Sequence, residues 1–195
     1  MTHHIYHTRG VILGSQPSGE SNRFYKIFTD EMGLVGATAQ SVREGRSKLR
    51  YVLQDFSIVT VDLVRGKEVW RTISAGAYRP LEVIKKDSVR IKLFAGYCSL
   101  LSRLLQGEAR DQELFEEIMR VVDFLEAHVV EQEFVLSFET LVTLRVLVHL
   151  GYADPKGFEK FLSATAYRTD ILEEFENIRL NALPKINDAL RESHL

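Results

Sequence analysis

The chain of 195 residues has a formal net charge of −2, is 45% hydrophobic and 27% charged, and contains one cysteine. This length allows one or two domains with a buried core. The composition excludes an intrachain disulfide and a zinc site built from several cysteines, and no apolar run approaches the ~20 residues of a membrane span. The first ten residues lack the order of a signal peptide, so we expect a cytoplasmic protein.

The first part of the chain has the pattern of short strands. Apolar or alternating runs rich in β-branched and aromatic residues are separated by turn signals that contain glycine. No long helical pattern lies between them, which favours a small closed barrel over a βαβ fold. The predicted strands cover residues 10–14, 21–29, 34–42, 57–64 and 68–75.

After Pro80 the apolar residues follow the spacing of helices. The predicted helices cover residues 91–105, 114–125, 138–151 and 171–182, and Pro184 is expected to end or kink the last one. Short connections favour a helical bundle. The predicted fold class is therefore α+β, with a five-stranded barrel domain at residues 1–80 and an α-helical domain at residues 81–195.

Charge is distributed unevenly between these two parts. Residues 1–80 carry 11 Lys and Arg against 7 Asp and Glu, a net charge of +4, whereas residues 81–195 carry 14 against 20, a net charge of −6. Arg43, Arg46, Lys48 and Arg50 gather just before the predicted fourth strand. Such a cationic segment attracts polyanions, and a solvated surface without a partner is the alternative.

Oligonucleotide-binding (OB) barrels combine cationic loops, which neutralise phosphates, with aromatic side chains that stack on bases. The alternative for the aromatic residues of the second strand is the barrel core, which must hold for two of Phe24, Tyr25 and Phe28. The candidate DNA-binding residues are Arg43, Arg46, Lys48, Arg50, Arg23, Lys26 and Tyr25.

Catalytic motifs do not stand out in the sequence. GxxxxGK[ST], GxSxG and HExxH are all missing. His3, His4 and His7 cluster at one end of the chain without the helical or turn context of a metal site, and Cys98 lies on an apolar stripe that favours packing over nucleophilic chemistry. We therefore expect no catalytic residues, no cofactor and no bound metal.

Several short motifs occur together in the order of a known family. Residues 10–63 resemble the start of the bacterial RecO recombination-mediator family, and residues 113–126 and 138–152 resemble its helical half. The matching positions in the first part are Gly19-Glu20, Phe28-Thr29, Gly33, Ser47, and Leu53-Gln54 followed by Phe56.

The resemblance implies an OB barrel followed by a helical domain, and a role in recombinational DNA repair at the bacterial nucleoid. It implies binding of single- and double-stranded DNA, annealing of complementary strands, and help for RecA in replacing single-strand-binding protein. RecR and the acidic C-terminal tail of single-strand-binding protein are the implied partners. Many members carry a four-cysteine zinc module after the Leu-Gly-Tyr position. Here no cysteine follows Tyr152, so we predict no structural zinc.

An acidic peptide tail that ends in an apolar residue needs an apolar groove with a cation at its rim. The helix predicted at residues 91–105 offers apolar residues with Lys92 and Arg103 beside them, and two solvated cations are the alternative. Two other function classes stay open for the whole chain: an OB-fold protein-interaction adaptor that does not bind nucleic acid, and a small enzyme with an unrecognised site.

Overall fold

The computed structural model describes residues 4–193. Five strands form a closed barrel in the order β1-β2-β3-β5-β4, and β4 returns to pair with β1. All pairs are antiparallel except the short parallel pair of β3 and β5. The strands are β1 (Ile5–Ser18), β2 (Asn22–Thr29), β3 (Gly33–Ala39), β4 (Ile58–Arg65) and β5 (Trp70–Arg79), with the short helix α1 (Leu49–Val52) between β3 and β4.

β1 is much longer than the run predicted at residues 10–14. Its first half pairs with β4 and its second half with β2, and the register shifts between Ile12 and Gly14. Such an irregularity bends a strand, so that its two halves can pair with different neighbouring strands. Gly10 and Val11, at the start of the predicted run, are the residues of β1 that pair with both neighbours.

The interior of the barrel is filled by alternate residues of each strand. Tyr25 and Ile27 of β2 point inward and are fully buried, as are Val35, Ala37 and Ala39 of β3. Phe28 lies on the opposite face of β2 and is covered there by Phe115, with 6.3 Å between the ring centroids. The two faces of β2 therefore carry the residues that the alternation predicts.

The remaining elements described by the structure are helical. Pro184 lies inside the last helix, and the predicted helix at 171–182 is instead two helices that separate at Asn177 and Ile178.

None of the helices in the described part of the chain is long and apolar enough to cross a membrane. The prediction of a five-stranded OB-type barrel followed by helices is confirmed. The helices are α2 (Glu82–Lys86), α3 (Ser88–Leu104), α4 (Gln112–Ala127), α5 (Val135–His149), α6 (Glu159–Leu162), α7 (Thr169–Glu176) and α8 (Arg179–Glu192), with a 3₁₀ turn at Gln132–Phe134.

The chain divides into two compact units. The barrel unit contains the residues up to Glu82 together with Leu105–Phe115, and the helical unit contains Val83–Leu104 and the residues from Glu116 onward. The sequence predicted one boundary at residues 80 and 81 and did not predict that Leu105–Phe115 lies with the barrel.

Gly33 shows why this segment belongs to the barrel unit. Its φ of +69° suits glycine, and a Cβ at this position would stand 2.1 Å from the carbonyl oxygen of Ala109. The next residue, Leu34, donates its backbone N–H to the carbonyl of Gly107 at 3.2 Å. Such backbone contacts depend on the shape of a turn and leave no periodic pattern in the sequence.

A buried polar network lies inside the helical unit, on the largely buried helix α5. Arg145 of α5 donates to Glu117 at 3.2 Å and to the carbonyl oxygens of Phe161 and Ala164 at 2.7 and 3.0 Å. Its guanidinium also lies 4.3 Å from the ring centroid of Tyr167. A buried charge is tolerated when it is paired and hydrogen-bonded in this way.

Replacing Glu117 with Gln removes the charge that balances Arg145, and we expect the free energy of unfolding to fall by about 3–5 kcal/mol. The matched control is Glu174→Gln, because Glu174 pairs with Lys160 at the surface, where an ion pair contributes only ~0–1 kcal/mol. Urea denaturation of both variants measures the difference. Equal decreases would contradict a stabilising role for the buried pair.

The same carboxylate makes the stability of the helical unit depend on pH. Burial acts to raise the pKa of Glu117, but Arg145 and the hydrogen bonds from Tyr167 and Arg120 outweigh it, so the pKa lies below its ordinary value. A carboxyl group with a lowered folded pKa stabilises above its unfolded pKa, and this stabilisation is lost as the pH falls through the folded pKa. We expect acid to destabilise the parent protein more steeply than Glu117→Gln below about pH 4.3.

Candidate nucleic-acid interface at the barrel mouth

A cleft of about 380 Å³ opens at one end of the barrel unit. Buried apolar side chains of Val42 and Leu53 form its floor. Three arginines lie around this floor, and two of them, Arg43 and Arg50, are exposed. The residues that line the cleft are Ser15, Arg23, Tyr25, Val42, Arg43, Arg50, Leu53, Gln54 and Asp55.

Strand pairing and a chain of hydrogen bonds hold Arg23 in the cleft. Arg23 pairs with Pro17 on β1 and Ala39 on β3. Its Nε donates to the hydroxyl of Ser15 at 2.8 Å, and that hydroxyl donates to the carboxylate of Asp55. The guanidinium of Arg23, which carries five N–H donors in all, is therefore fixed at its Nε.

Arg43 is positioned by the turn that follows β3. Its backbone N–H donates to the carbonyl of Ser21 at 3.0 Å, and its Nη1 donates to the carbonyl of Gly19 at 3.2 Å. Ser41 has a φ of +53°, and its N–H donates to the side chain of Asn22 at 3.0 Å. These bonds join the start of the basic connection to the turn between β1 and β2.

Arg50 lies on α1, with its guanidinium 5.7 Å from the ring centroid of Tyr51. After α1 the chain re-enters the barrel wall, where Phe56 donates its N–H to the carbonyl of Ile12 at 2.8 Å. The nearby carboxylate of Asp55 accepts the hydroxyl of Ser15.

Three of the predicted cations do not line the cleft: Lys26 of β2, and Arg46 and Lys48 of the basic connection. Arg46 contacts Glu44 of its own connection at 3.4 Å, and its side chain is 92% exposed. Lys48 is exposed and directly precedes α1. The structure thus brings together Arg23, Arg43 and Arg50, whereas the sequence placed all the cations of the connection in one group.

Tyr25 was predicted to contact DNA, but its ring cannot stack on a base. Its side chain is 0% exposed because it fills the barrel interior, so no face of its ring can receive a base. Burial also raises the pKa of its hydroxyl. The alternation identified two faces of β2 but not which of them faces inward, since both carry aromatic residues.

Phe24 is the aromatic residue of β2 that stays partly exposed, and sequence reasoning did not select it. It lies on the outer face of the barrel together with the exposed Lys26. The register places Gly36 opposite Lys26, and Thr38 pairs with both Phe24 and Arg71. Gly36, which lies between two inward-facing residues of β3, was the sequence signal that an aromatic side chain could lie on the outer face here.

The helical unit contains an apolar groove of about 410 Å³ between α3, α5 and α8. Arg103 lines it together with Glu139, whereas Lys92 is exposed and does not belong to its lining. Of the two cations predicted for a peptide site, the structure brings Arg103 to the groove. Its apolar lining includes Leu93, Leu100, Val142, Leu183, Ile186 and Leu190.

The histidine cluster near the start of the chain falls partly outside the described residues, because His3 is not among them. His4 packs edge-on against Tyr6 with 4.5 Å between ring centroids, and His7 lies 2.6 Å from Asp62. Within residues 4–193 no three His, Cys, Asp or Glu side chains are grouped so that they could hold a metal ion. The absence of zinc stays a prediction.

Comparison with known proteins adds a family to this geometry. Residues 1–77 match the family model described as Recombination protein O N terminal. Among curated proteins, DNA repair protein RecO of Rubrobacter xylanophilus is 30% identical over 149 residues, which cover 76% of this chain and 58% of that protein. DNA repair protein RecO of Salmonella dublin is 33% identical over 147 residues, which cover 74% of this chain and 57% of that protein.

Residues 1–77 therefore carry the N-terminal domain of the RecO family. DNA repair protein RecO of Enterobacter sp. strain 638 is also similar, with 31% identity over 145 residues that cover 74% of this chain and 59% of that protein. The chain thus spans less than two thirds of the length of these RecO relatives. The five strands of the barrel lie almost entirely within the residues that match the N-terminal family model.

Asp55 is the one carboxylate among the residues that line the cleft, and it opposes a negatively charged ligand. Asp55→Asn should raise the affinity for an oligonucleotide about two- to threefold, because two charges roughly 7 Å apart in water interact by about 0.6 kcal/mol. The amide oxygen still accepts the hydroxyl of Ser15. Fluorescence anisotropy measures the change.

Asp62→Asn is the matched control for this prediction. Asp62 lies on the outer face of the barrel, where it accepts from Ser74 and contacts His7, and its removal changes the net charge equally. An identical rise in affinity for both variants would mean that net charge, and not the cleft, controls binding.

Proposed function

We propose that this RecO-family chain binds DNA phosphates at the mouth of its barrel and acts in recombinational DNA repair without enzymatic activity. The observation that carries the proposal is the convergence of Arg23, Arg43 and Arg50 on one cleft of an OB-type barrel. Guanidinium groups present several N–H donors in a planar fork that matches phosphate oxygens. OB barrels commonly bind oligonucleotides with loops and strands of this region.

The arrangement suits binding that is independent of sequence. The three arginines provide charge and donors for phosphates, and phosphate contacts carry no direct information about bases. Each neutralised phosphate releases counterions, so affinity should fall as salt rises. A protein that acts on any damaged part of a chromosome requires binding of this kind, and both single- and double-stranded DNA present phosphates to the cleft.

The test compares two double variants that remove the same charge. Arg43→Ala/Arg50→Ala removes two cations of the cleft, and Arg46→Ala/Lys48→Ala removes two cations of the same connection that lie outside it. We expect the first to weaken binding of single-stranded DNA and to make the salt slope shallower by about 0.7 for each phosphate that the variant no longer neutralises. The second should have a smaller effect on both quantities.

Circular dichroism and thermal denaturation should show that both double variants fold, because exposed surface substitutions usually change stability by less than about 0.5 kcal/mol. Equal weakening by the two variants would assign binding to overall charge and not to the cleft. Parental affinity in both variants would reject the DNA site and favour the alternative of a protein-interaction adaptor.

The wider role follows the names of the relatives and the family resemblance. Each compared relative is named DNA repair protein RecO. We propose that this chain likewise works in recombinational repair at the nucleoid, annealing complementary strands and assisting RecA on DNA coated by single-strand-binding protein. RecR is the proposed partner in this step. An annealing assay with and without single-strand-binding protein tests the proposal directly.

The groove of the helical unit supports a peptide partner, and we propose that it binds the acidic tail of single-strand-binding protein. The groove supplies apolar contacts for the terminal apolar residue, and Arg103 supplies a cation for the carboxylate. Arg103→Ala should weaken binding of the tail peptide about tenfold or more, since a hydrogen bond to a charged group contributes ~1.5–3 kcal/mol.

Lys92→Ala is the matched control for the peptide site, because Lys92 lies on the same helix but does not line the groove. We expect it to leave the affinity nearly unchanged in fluorescence anisotropy with the labelled peptide. Equal weakening by the two variants would move the peptide away from the groove, and unchanged affinity in Arg103→Ala would contradict its role at the rim.

A further inference from the structure

The outer face of the barrel carries a second feature that the cleft does not use. The register aligns Phe24 of β2 with Thr38 of β3, and Thr38 with Arg71 of β5. In the neighbouring row, Lys26 aligns with Gly36. Paired residues of adjacent strands share one face of a sheet, so these side chains lie together on the outside of the barrel.

Gly36 allows the ring of Phe24 to lie against the sheet. A Cβ at position 36 would stand 2.7 Å from Cζ and 3.0 Å from Cε2 of Phe24, distances that a real side chain does not adopt. The end of the ring therefore lies close against β3 at Gly36. Phe24 is only partly buried, so part of its side chain is accessible to solvent.

The neighbours of this ring on the outer face are small or polar. Thr38 directs its hydroxyl to the carbonyl of Trp70 at 3.3 Å, toward β5. Gln16 pairs with Phe24 from β1 and is exposed. At Gly14, which pairs with Lys26, an added Cβ would meet no atom within 4 Å. The ring thus lies on an open part of the barrel wall.

Two exposed cations lie at distances that suit a nucleotide on this ring. Lys26 is two residues along the same strand, about 6.8 Å from Phe24 between Cα atoms, and Arg71 is two strands away, about 10 Å. Both side chains are long enough to reach a sugar-phosphate backbone beside a base that covers the ring. An aromatic ring between cations is the usual way in which proteins hold single strands.

We propose that Phe24 is a stacking platform for one unpaired base of single-stranded DNA, with Lys26 and Arg71 beside it for the phosphates. The proposal rests on the DNA binding proposed above and deepens it, because it adds a contact that reads the base face. A duplex hides its base faces within the stack. The platform therefore favours single strands, whereas phosphate contacts are available on both.

The experiment measures binding of oligothymidylate and of an abasic strand with the same length and charge, by fluorescence anisotropy. Phe24→Leu keeps an apolar cover over Gly36 but has no ring. We expect it to weaken binding of oligothymidylate roughly 5- to 150-fold, the range for removal of one stacked base. Its affinity for the abasic strand and its salt slope should stay at the parental values.

Phe24→Trp is the conservative variant, because indole also stacks. It should retain the preference for oligothymidylate over the abasic strand, and the fluorescence of the added tryptophan should be quenched by oligothymidylate but not by the abasic strand. A ring that served only to cover the sheet would give no such dependence on bases.

Different results of this experiment would reject the platform alone or the proposed DNA binding as a whole. If the parent binds both strands equally, or if Phe24→Leu binds oligothymidylate with parental affinity, the platform is rejected while phosphate binding at the cleft stands. If the parent binds neither strand, the proposed DNA binding fails and the platform fails with it.

Discussion

The barrel closes around one inward row of side chains, and the other surfaces of this unit depend on it. Tyr25 of β2 is aligned with Ala37 of β3, and Ala37 is aligned with Trp70 of β5. All three are buried in the interior. Two large rings fit on either side of a methyl group, whereas a larger residue at position 37 would overpack the row. The parallel pairing of β3 with β5 extends over only three residue pairs, so this packing is a main support of closure.

The same register fixes what the barrel presents outside. When Tyr25 points inward, the adjacent Phe24 must point to the outer wall. Arg23, two residues from Tyr25, lies on the inward face again and reaches the mouth, where the interior opens. A shift of one residue would exchange the faces and place charges inside the barrel. The stacking ring and the cleft arginine are thus consequences of one alternation, and neither can move without the core.

The sequence predicted the elements better than the contacts. Five strands, the change to helical spacing and the basic connection could be read from periodicity and composition, because these depend on neighbours along the chain. Whether Tyr25 or Phe24 fills the interior could not be read from the sequence, because the partner strand decides which face is the interior. Arg46 and Lys48 could not be separated from Arg50, because an irregular connection and a short helix determine which cations reach the cleft. The burial of Arg145 could not be read from the sequence, because its partners, a carboxylate and two carbonyl groups, lie in other parts of the helical unit.

In the proposed function, the cleft and the outer platform divide DNA binding into two contributions with different physics. Phosphate contacts at the cleft give an affinity that depends on salt and treats single and double strands alike. Stacking on Phe24 contributes free energy that depends little on salt and requires an unpaired base. A protein with the first term alone would remain on the duplex that surrounds every single-stranded region. Adding the second biases it toward single strands without any preference for sequence, since every base has a face that stacks. Annealing also requires the contact to be given up when the complementary base arrives, and a single ring on an open wall can be released one base at a time, whereas an enclosed pocket would hold its base against pairing.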